Sequence, residues 1–218
     1  MTLAQHRRRI RILPAGDRAL LVEPEDHVDL GALASVLRAS GTAGISDVLP
    51  AAQTILVTTD ARVDLRTLAR TIRQVLATAD HLDAEAPPDS ETLYVPVSYD
   101  GCDLHDVATI LGISVADVIR EHTSRTWRCE FLGFAPGFGY LVSDTPGLSV
   151  PRRVRSRTSV PPGAIALADG YSAIYPRRSP GGWQIIGTTT LSTWDAALAQ
   201  PASIWPGRRV RFVAEADR

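Results

Sequence analysis

From Gly133 onward the chain is cut by Gly and Pro into short β-branched or apolar runs, at 158–160, 164–167, 172–175, 183–187 and 210–213. Helical periodicity is nearly absent there, apart from a turn near 194–198. Strands this short, with turns this frequent, imply a small barrel or sandwich. The chain before it has a different texture. Residues 10–13 and 19–23 read as strands around Ala15-Gly16-Asp17. Leu30, Leu33, Val36 and Leu37 recur with helical spacing. Two more strands follow at 45–49 and 54–58, and Leu65, Leu68, Ile72, Val75 and Leu76 mark a second amphipathic helix. This ββαββα order is an α+β arrangement. Residues 81–90 (HLDAEAPPDS) are polar, acidic and broken by Pro87-Pro88, as a linker or crossing loop would be. We therefore expect a small α+β domain over residues 1–88 and a β-barrel domain over residues 89–218. At the start of the second, 92–97 reads as a strand. Leu104, Val107, Ala108 and Leu111 suggest a short helix, and Ser114 with Asp117 has the spacing of a capping box. Residues 126–131 read as another strand.

All 23 basic residues are arginine; the 218-residue chain contains no lysine. An arginine- and alanine-rich codon supply accounts for the absence, but its chemical consequences hold either way. No Schiff base can form on a side-chain amine, so pyridoxal-phosphate and aldolase chemistry are excluded. No P-loop or kinase-type lysine is available, and no lysine of this chain can carry biotin. Phosphate or carboxylate must be handled by arginine or backbone N–H, and arginine suits planar, bidentate anions. Cys102 and Cys129 form neither a disulfide framework nor a metal-ligand pattern, so no metal site is expected. No apolar run approaches the ~20 residues that span a bilayer, and the basic start lacks a signal peptide's apolar core; a cytoplasmic location is expected. Charge is uneven. Residues 1–119 carry ten arginines against seventeen acidic residues, and residues 120–218 carry thirteen against seven. The C-terminal part could attract an anionic ligand or acidic surface, but has no run dense enough for nucleic acid.

Three motifs carry the candidate chemistry. In Phe131-Leu132-Gly133-Phe134-Ala135-Pro136-Gly137-Phe138-Gly139-Tyr140-Leu141, glycines permit tight turns and close approach to a ligand, and the aromatics could line a pocket or simply wedge the loop into a core. Pro151-Arg152-Arg153-Val154-Arg155-Ser156-Arg157-Thr158 places four arginines within six residues. Extended, Arg153, Arg155 and Arg157 would share one face and Arg152 the other, as an anion clamp or a solvated edge. Ser179-Pro180-Gly181-Gly182-Trp183-Gln184-Ile185-Ile186-Gly187 offers a turn whose N–H groups could nest an anion, with Trp183 readable as core. His122 closes a short helix. It either interacts with the helix dipole or serves as a general base facing the glycine loop. Cys129 sits mid-strand, where a thiol is buried and inert.

Taken in order, these motifs, with Gly16-Asp17-Arg18-Ala19-Leu20-Leu21-Val22, Val160-Pro161-Pro162-Gly163 and Ile174-Tyr175-Pro176, resemble the B subunit of bacterial 5-oxoprolinase. That family was long labelled allophanate hydrolase subunit 1, and it includes a Kip-type inhibitor of a sporulation histidine kinase. It is also similar to part of the carboxyltransferase domain of urea carboxylase. The likeness runs from about Ile10 to Val213. Two positions depart from it: Ser156 precedes Arg157-Thr158 where proline is frequent, and Ala164 follows Gly163 where serine is frequent, removing one hydroxyl. The resemblance implies that the barrel is cyclophilin-like. It implies ATP-dependent opening of 5-oxo-L-proline to L-glutamate, with a tightly bound C subunit and an A subunit, and little activity in this chain alone. ATP, with Mg2+ as counter-ion, is the implied cofactor. On that basis His122 and Arg153 are the expected catalytic residues. Arg152, Arg157, Gly133, Phe134, Pro136, Gly137, Phe138, Tyr140, Gly181, Gly182 and Trp183 are expected to bind substrate or ATP. Two other functions fit the same resemblance: a protein-binding inhibitor of a histidine kinase, and a carboxyltransferase-like subunit of a urea or allophanate system with biotin on another chain.

Overall fold

The computed structural model describes residues 10–25, 28–60, 63–78 and 92–215. The chain divides into two compact units, residues 1–85 and 86–218; the segment 81–90 lies outside the described residues. The first unit runs β1 (Ile10–Pro14), β2 (Ala19–Pro24), α1 (Leu30–Ala39), β3 (Ile45–Pro50), β4 (Ile55–Thr59) and α2 (Leu65–Thr78). Its strands form an antiparallel sheet in the order β1-β2-β4-β3. Leu30, Leu33 and Leu37 of α1 and Leu68, Ile72 and Leu76 of α2 pack into one core with Leu20, Val22, Val48, Ile55 and Val57. These are the positions at 3.6-residue and two-residue spacing, so burying one stripe per helix and one face of the sheet satisfies both patterns. Asp29 starts α1 by accepting the Ala32 N–H at 3.0 Å.

The second unit contains β5 (Leu93–Val97), α3 (Leu104–Leu111), α4 (Val115–Ser124), β6 (Trp127–Leu132), β7 (Gly139–Val142), β8 (Arg157–Val160), β9 (Ala164–Ala168), β10 (Tyr171–Ile174), β11 (Ser179–Gly181), β12 (Gln184–Thr188) and β13 (Arg209–Ala214). Seven strands form one mixed sheet, β12-β9-β10-β7-β6-β13-β5, in which β13 and β5 run parallel. Its two edges meet just beyond β5. Ser98 and Thr188 exchange N–H···O bonds of 3.0 and 2.8 Å, so the sheet is a nearly closed barrel. Closure removes most of the exposed edge that an open sheet would present. The strands β8 and β11 pair separately.

Every strand of the barrel sends residues to one inner cluster, among them Val95, Phe212, Trp127, Leu141, Ile174, Leu167 and Ile186. Leu104, Val107 and Ala108 of α3 and Val118 of α4 join it. Helix α4 begins at the capping box: Ser114 Oγ accepts the Asp117 N–H at 3.1 Å and the Asp117 carboxylate accepts the Ser114 N–H at 3.3 Å. A second cluster covers the opposite face of β9, β10 and β12. Strand β9 is buried throughout. Ile165 and Leu167 face the inner cluster, and Ala164, Ala166 and Ala168 face the outer one with Phe138, Tyr175 and Trp183. The hydroxyl-less Ala164 is thus a packing position. Strands β7 and β11 fall where the sequence reads as glycine loop and turn. Gly139 sits in β7 because a Cβ there would lie 2.6 Å from Ile204 Cγ2, so the glycine marks a close approach inside a strand. Among the described residues, no helix is long and apolar enough to cross a membrane.

Two glycines of this unit separate steric from conformational cost. A Cβ on Gly101 would stand 2.2 Å from the Ile186 carbonyl carbon; Gly112 has φ +68° and open space around it. Gly112→Ala should cost about 1 kcal/mol from left-handed backbone alone. Gly101→Ala should cost about 4 kcal/mol or more, because backbone must move to admit it. Urea denaturation of the two variants checks the ranking.

Candidate functional site

The site is built on Asp103, at the start of α3. This residue occupies the N-cap position, yet its side chain makes no cap bond. Its side chain is 2% exposed. Oδ1 accepts from Arg153 Nη1 and Arg157 Nη2, each at 2.6 Å, and Oδ2 accepts the Ile185 N–H at 2.7 Å. A buried carboxylate needs such partners, since losing its water is otherwise costly. The hydrogen bond to Asp103 in turn holds the Arg157 guanidinium above its ordinary pKa. Arg157 Nη2 also reaches Cys102 Sγ at 3.2 Å. The arginine segment is fastened to the β11–β12 connection by the Arg153 N–H to the Gly182 carbonyl, 2.7 Å, and by Gln184 Nε2 to the Pro151 carbonyl, 3.1 Å. Among the described residues, three buried polar atoms here have no partner: Arg153 Nε, Arg157 Nη1 and Gln184 Oε1.

Of the arginines expected on one face, only Arg153 and Arg157 converge. Arg155 is exposed, and Arg152, 59% exposed, pairs with Asp169 at 3.0 Å. The two-residue alternation fails because the chain bends near Val154 and Arg155 and enters a strand only at Arg157. Gly181 and Gly182 are close-packed: a Cβ would fall 2.3 Å from Tyr175 Oη at Gly181 and 2.8 Å from Ser156 Oγ at Gly182.

Residues 133–138 form the hairpin loop between β6 and β7. The Phe138 N–H donates to the Ala135 carbonyl at 3.0 Å, with Pro136 second in that turn and Gly137 third at φ +81°. This is the Pro-Gly order and φ sign of a type II turn. Gly133 is half-buried, Pro136 is exposed, and Phe134 is 57% exposed at φ +63°. Phe138 makes edge-to-face contacts with Tyr140 and Tyr175, both at 5.2 Å, and Trp183 at 5.4 Å. Trp183 is 5% exposed and belongs to this outer core. Burial raises the Tyr140 and Tyr175 phenols.

His122 does not face the glycine loop, the placement that the general-base expectation assumed. It is fully buried, stacked on Phe212 at 4.3 Å, with Nδ1 2.7 Å from Tyr99 Oη and Nε2 2.9 Å from Ser172 Oγ. Ser172 lies on β10 between Tyr171 and Ala173, which both pack with the outer cluster, so His122 sits across the sheet from Phe138 and Tyr175. Burial, with help from Arg125, pushes its pKa down to about 3. Both ring nitrogens are engaged, so the residue is a neutral core histidine. Cys129 is buried too, and burial pushes its thiol up to about 12. Two residues of the site were not picked out from the sequence. Gln184 sits within Ser179–Gly187 with no neighbour in sequence that marks it, and Asp103 carries only the weak signal of an acid at a helix start.

The family model described as carboxyltransferase domain, subdomain C and D, matches residues 10–204. The B subunit of 5-oxoprolinase from Escherichia coli O157:H7 is 41% identical over 133 residues, 60% of this chain and 61% of that protein. The matched stretch thus spans about three fifths of that relative. The B subunit of 5-oxoprolinase from Haemophilus influenzae is 33% identical over 174 residues, 78% of this chain and 80% of that protein. The urea amidolyase of K. lactis superposes on 95% of this chain and 15% of its own, with a TM-score of 0.76 at 18% identity, a likeness of fold. The chain belongs to the carboxyltransferase domain, subdomain C and D family, and with it to the family of the 5-oxoprolinase B subunits.

The buried histidine makes stability pH-dependent. Its folded pKa, about 3, lies below the ordinary 6.5. Between those values the unfolded chain binds a proton that the folded chain does not, so acid favours unfolding. This contribution is whole above pH 6.5 and falls by about 1.4 kcal/mol per pH unit towards pH 3. Urea denaturation between pH 7.5 and 4.5 should show that slope, and His122→Gln should flatten it by one proton's worth. Equal slopes would mean that His122 is charged in the folded protein.

Proposed function

We propose that the chain is the B subunit of an ATP-dependent 5-oxoprolinase, opening 5-oxo-L-proline to L-glutamate together with an A and a C subunit. The names of its relatives support the reading. The observation that carries it at the site is the pair Arg153 and Arg157, fixed on buried Asp103 with N–H donors left over. A lactam is a stable amide, and water attacks it only when the carbonyl is activated. ATP, when bound, would supply a phosphoryl group to the carbonyl oxygen, making the ring carbon electrophilic enough for water to add; the ring C–N bond would then break with the nitrogen leaving as the amine of glutamate, and hydrolysis of the resulting acyl phosphate would free the carboxylate and inorganic phosphate. The chain's own part is to hold anions near that event with preorganised donors, which need no reorganisation as charge develops.

Guanidinium donors without acceptors fit oxyanions of either kind, carboxylate or phosphate. We assign nucleotide contacts to Arg152 and to the backbone of the 133–137 and 181–182 loops. Mg2+ is given to the nucleotide's phosphates, because among the described residues no three His, Cys, Asp or Glu side chains gather. Phe138, Tyr140 and Trp183 support these loops from beneath. His122 is a positioning residue that seats α4 in the barrel, and activation of water is assigned to another subunit. We also class the first unit as a small α+β domain and the second as a cyclophilin-like barrel, and place the complex in the cytoplasm. Carboxyl transfer, with biotin on another chain, is the second reading, favoured by the family's description; it would use the same arginines on a carboxylate.

Reconstitution with A and C subunits should release glutamate from 5-oxo-L-proline only when ATP and all three chains are present. Arg153→Ala should lower that rate at least tenfold, the loss of about one charge-assisted hydrogen bond in the reacting complex. Full activity of the variant would overturn the site. Activity that requires a biotinylated protein would favour the second reading.

A further inference from the structure

We infer that Gln184, together with Arg153 and Arg157, reads the organic substrate itself, a planar cyclic amide or ureide N–H beside a single carboxylate, and not the phosphates of the nucleotide. The reading of 5-oxo-L-proline as the particular member of that class rests on the function proposed above.

The Gln184 side chain is 6% exposed. Its Nε2 donates to the Pro151 carbonyl, which fixes the orientation of the amide, since the reversed amide would set two oxygens against each other. Its Oε1 is buried and lacks a donor. Arg153 Nε and Arg157 Nη1 are buried and lack acceptors. These atoms belong to one web. Asp103 binds both guanidiniums and the N–H of Ile185, the neighbour of Gln184, and the backbone of Arg153 bonds Gly182. Buried polar atoms in folded proteins are nearly always satisfied, so three unmet atoms in one web point to a ligand that satisfies them. Two donors and one acceptor call for a ligand with two acceptors and one donor. A carboxylate next to a lactam N–H has that pattern; a phosphate chain offers acceptors only.

Charge makes the same choice. Two guanidiniums against one carboxylate leave a single positive charge at the clamp. That matches a monoanion. A triphosphate would meet the Asp103 carboxylate with far too little positive charge to offset it.

The test uses the assembled three-subunit complex and equilibrium binding without ATP. The probes are 5-oxo-L-proline and its lactone analogue, in which ring oxygen replaces N–H. The wild-type complex should bind the lactam at least tenfold more tightly than the lactone. Gln184→Leu should reduce that ratio to within twofold, whereas Arg153→Ala should weaken both ligands alike. Gln184→Glu keeps size and cancels the clamp's charge; it sets an oxygen against the Pro151 carbonyl and so should lower the melting temperature, but at an assay temperature where circular dichroism shows it folded it should lose the lactam. An unchanged lactam-to-lactone ratio in Gln184→Leu, or retained lactam affinity in a folded Gln184→Glu, overturns the inference. If that happens while the wild-type complex still releases glutamate, the functional proposal survives alone. If the complex has no 5-oxoprolinase activity but prefers a cyclic ureide carboxylate over its oxygen analogue in a Gln184-dependent way, the inference survives alone.

Discussion

The barrel unit depends on one buried carboxylate. Asp103 joins partners 50, 54 and 82 residues away in sequence: Arg153, Arg157 and the Ile185 N–H. Each of these meets part of the cost of taking the charge out of water, and removal of any one leaves the others exposed to that cost. The bond network thereby ties the start of α3, the arginine segment and β12 into one rigid piece. It also explains a local oddity. An aspartate at an N-cap would normally bond the helix N–H groups, but this one forgoes that role for the longer-range contacts.

Around this point the strands have to be useful on both faces. The inner face of β9 carries Ile165 and Leu167, and the outer face carries three alanines. Small residues outside leave room for the Phe138, Tyr140, Tyr175 and Trp183 rings to lie against the sheet, and those rings brace the β6–β7 loop and the β11–β12 connection. The glycines of the same region follow from this crowding. Gly181 lies beneath Tyr175 and Gly182 beside Ser156 because no Cβ fits. The loops near the clamp are therefore held by packing, which is what a preorganised anion site requires.

Much of this architecture was legible in the sequence because it rests on local patterns. Helical spacing marked α1, α2 and α3, β-branched runs marked most strands, and Ser114 with Asp117 announced the start of α4. What was not legible depends on non-local contacts. Gly139 reads as loop because only the neighbouring Ile204 side chain reveals a glycine-requiring strand. The alternation of Arg153, Arg155 and Arg157 assumes an extended chain, and a bend removes Arg155 from the set. His122 reads as a catalytic candidate because histidine often is one; its burial follows from Phe212, Tyr99 and Ser172, each distant in sequence. Asp103 and Gln184 were missed for the same reason, since neither has meaning until Arg153, Arg157 and Pro151 are brought to them.

The absence of lysine takes on structural sense at this clamp. An ammonium group concentrates its charge at one atom and would collapse onto the Asp103 carboxylate, leaving little to offer a ligand. A guanidinium spreads five N–H donors over a rigid plane. Arg153 spends Nη1 on Asp103 and keeps Nε, and Arg157 spends Nη2 and keeps Nη1. The carboxylate thus fixes the two planes and sets the net charge, while the remaining N–H groups stay directed in space. Replacing either arginine by lysine would keep the formal charge and lose this division of labour, so the clamp is a property of the arginine plane more than of its positive charge.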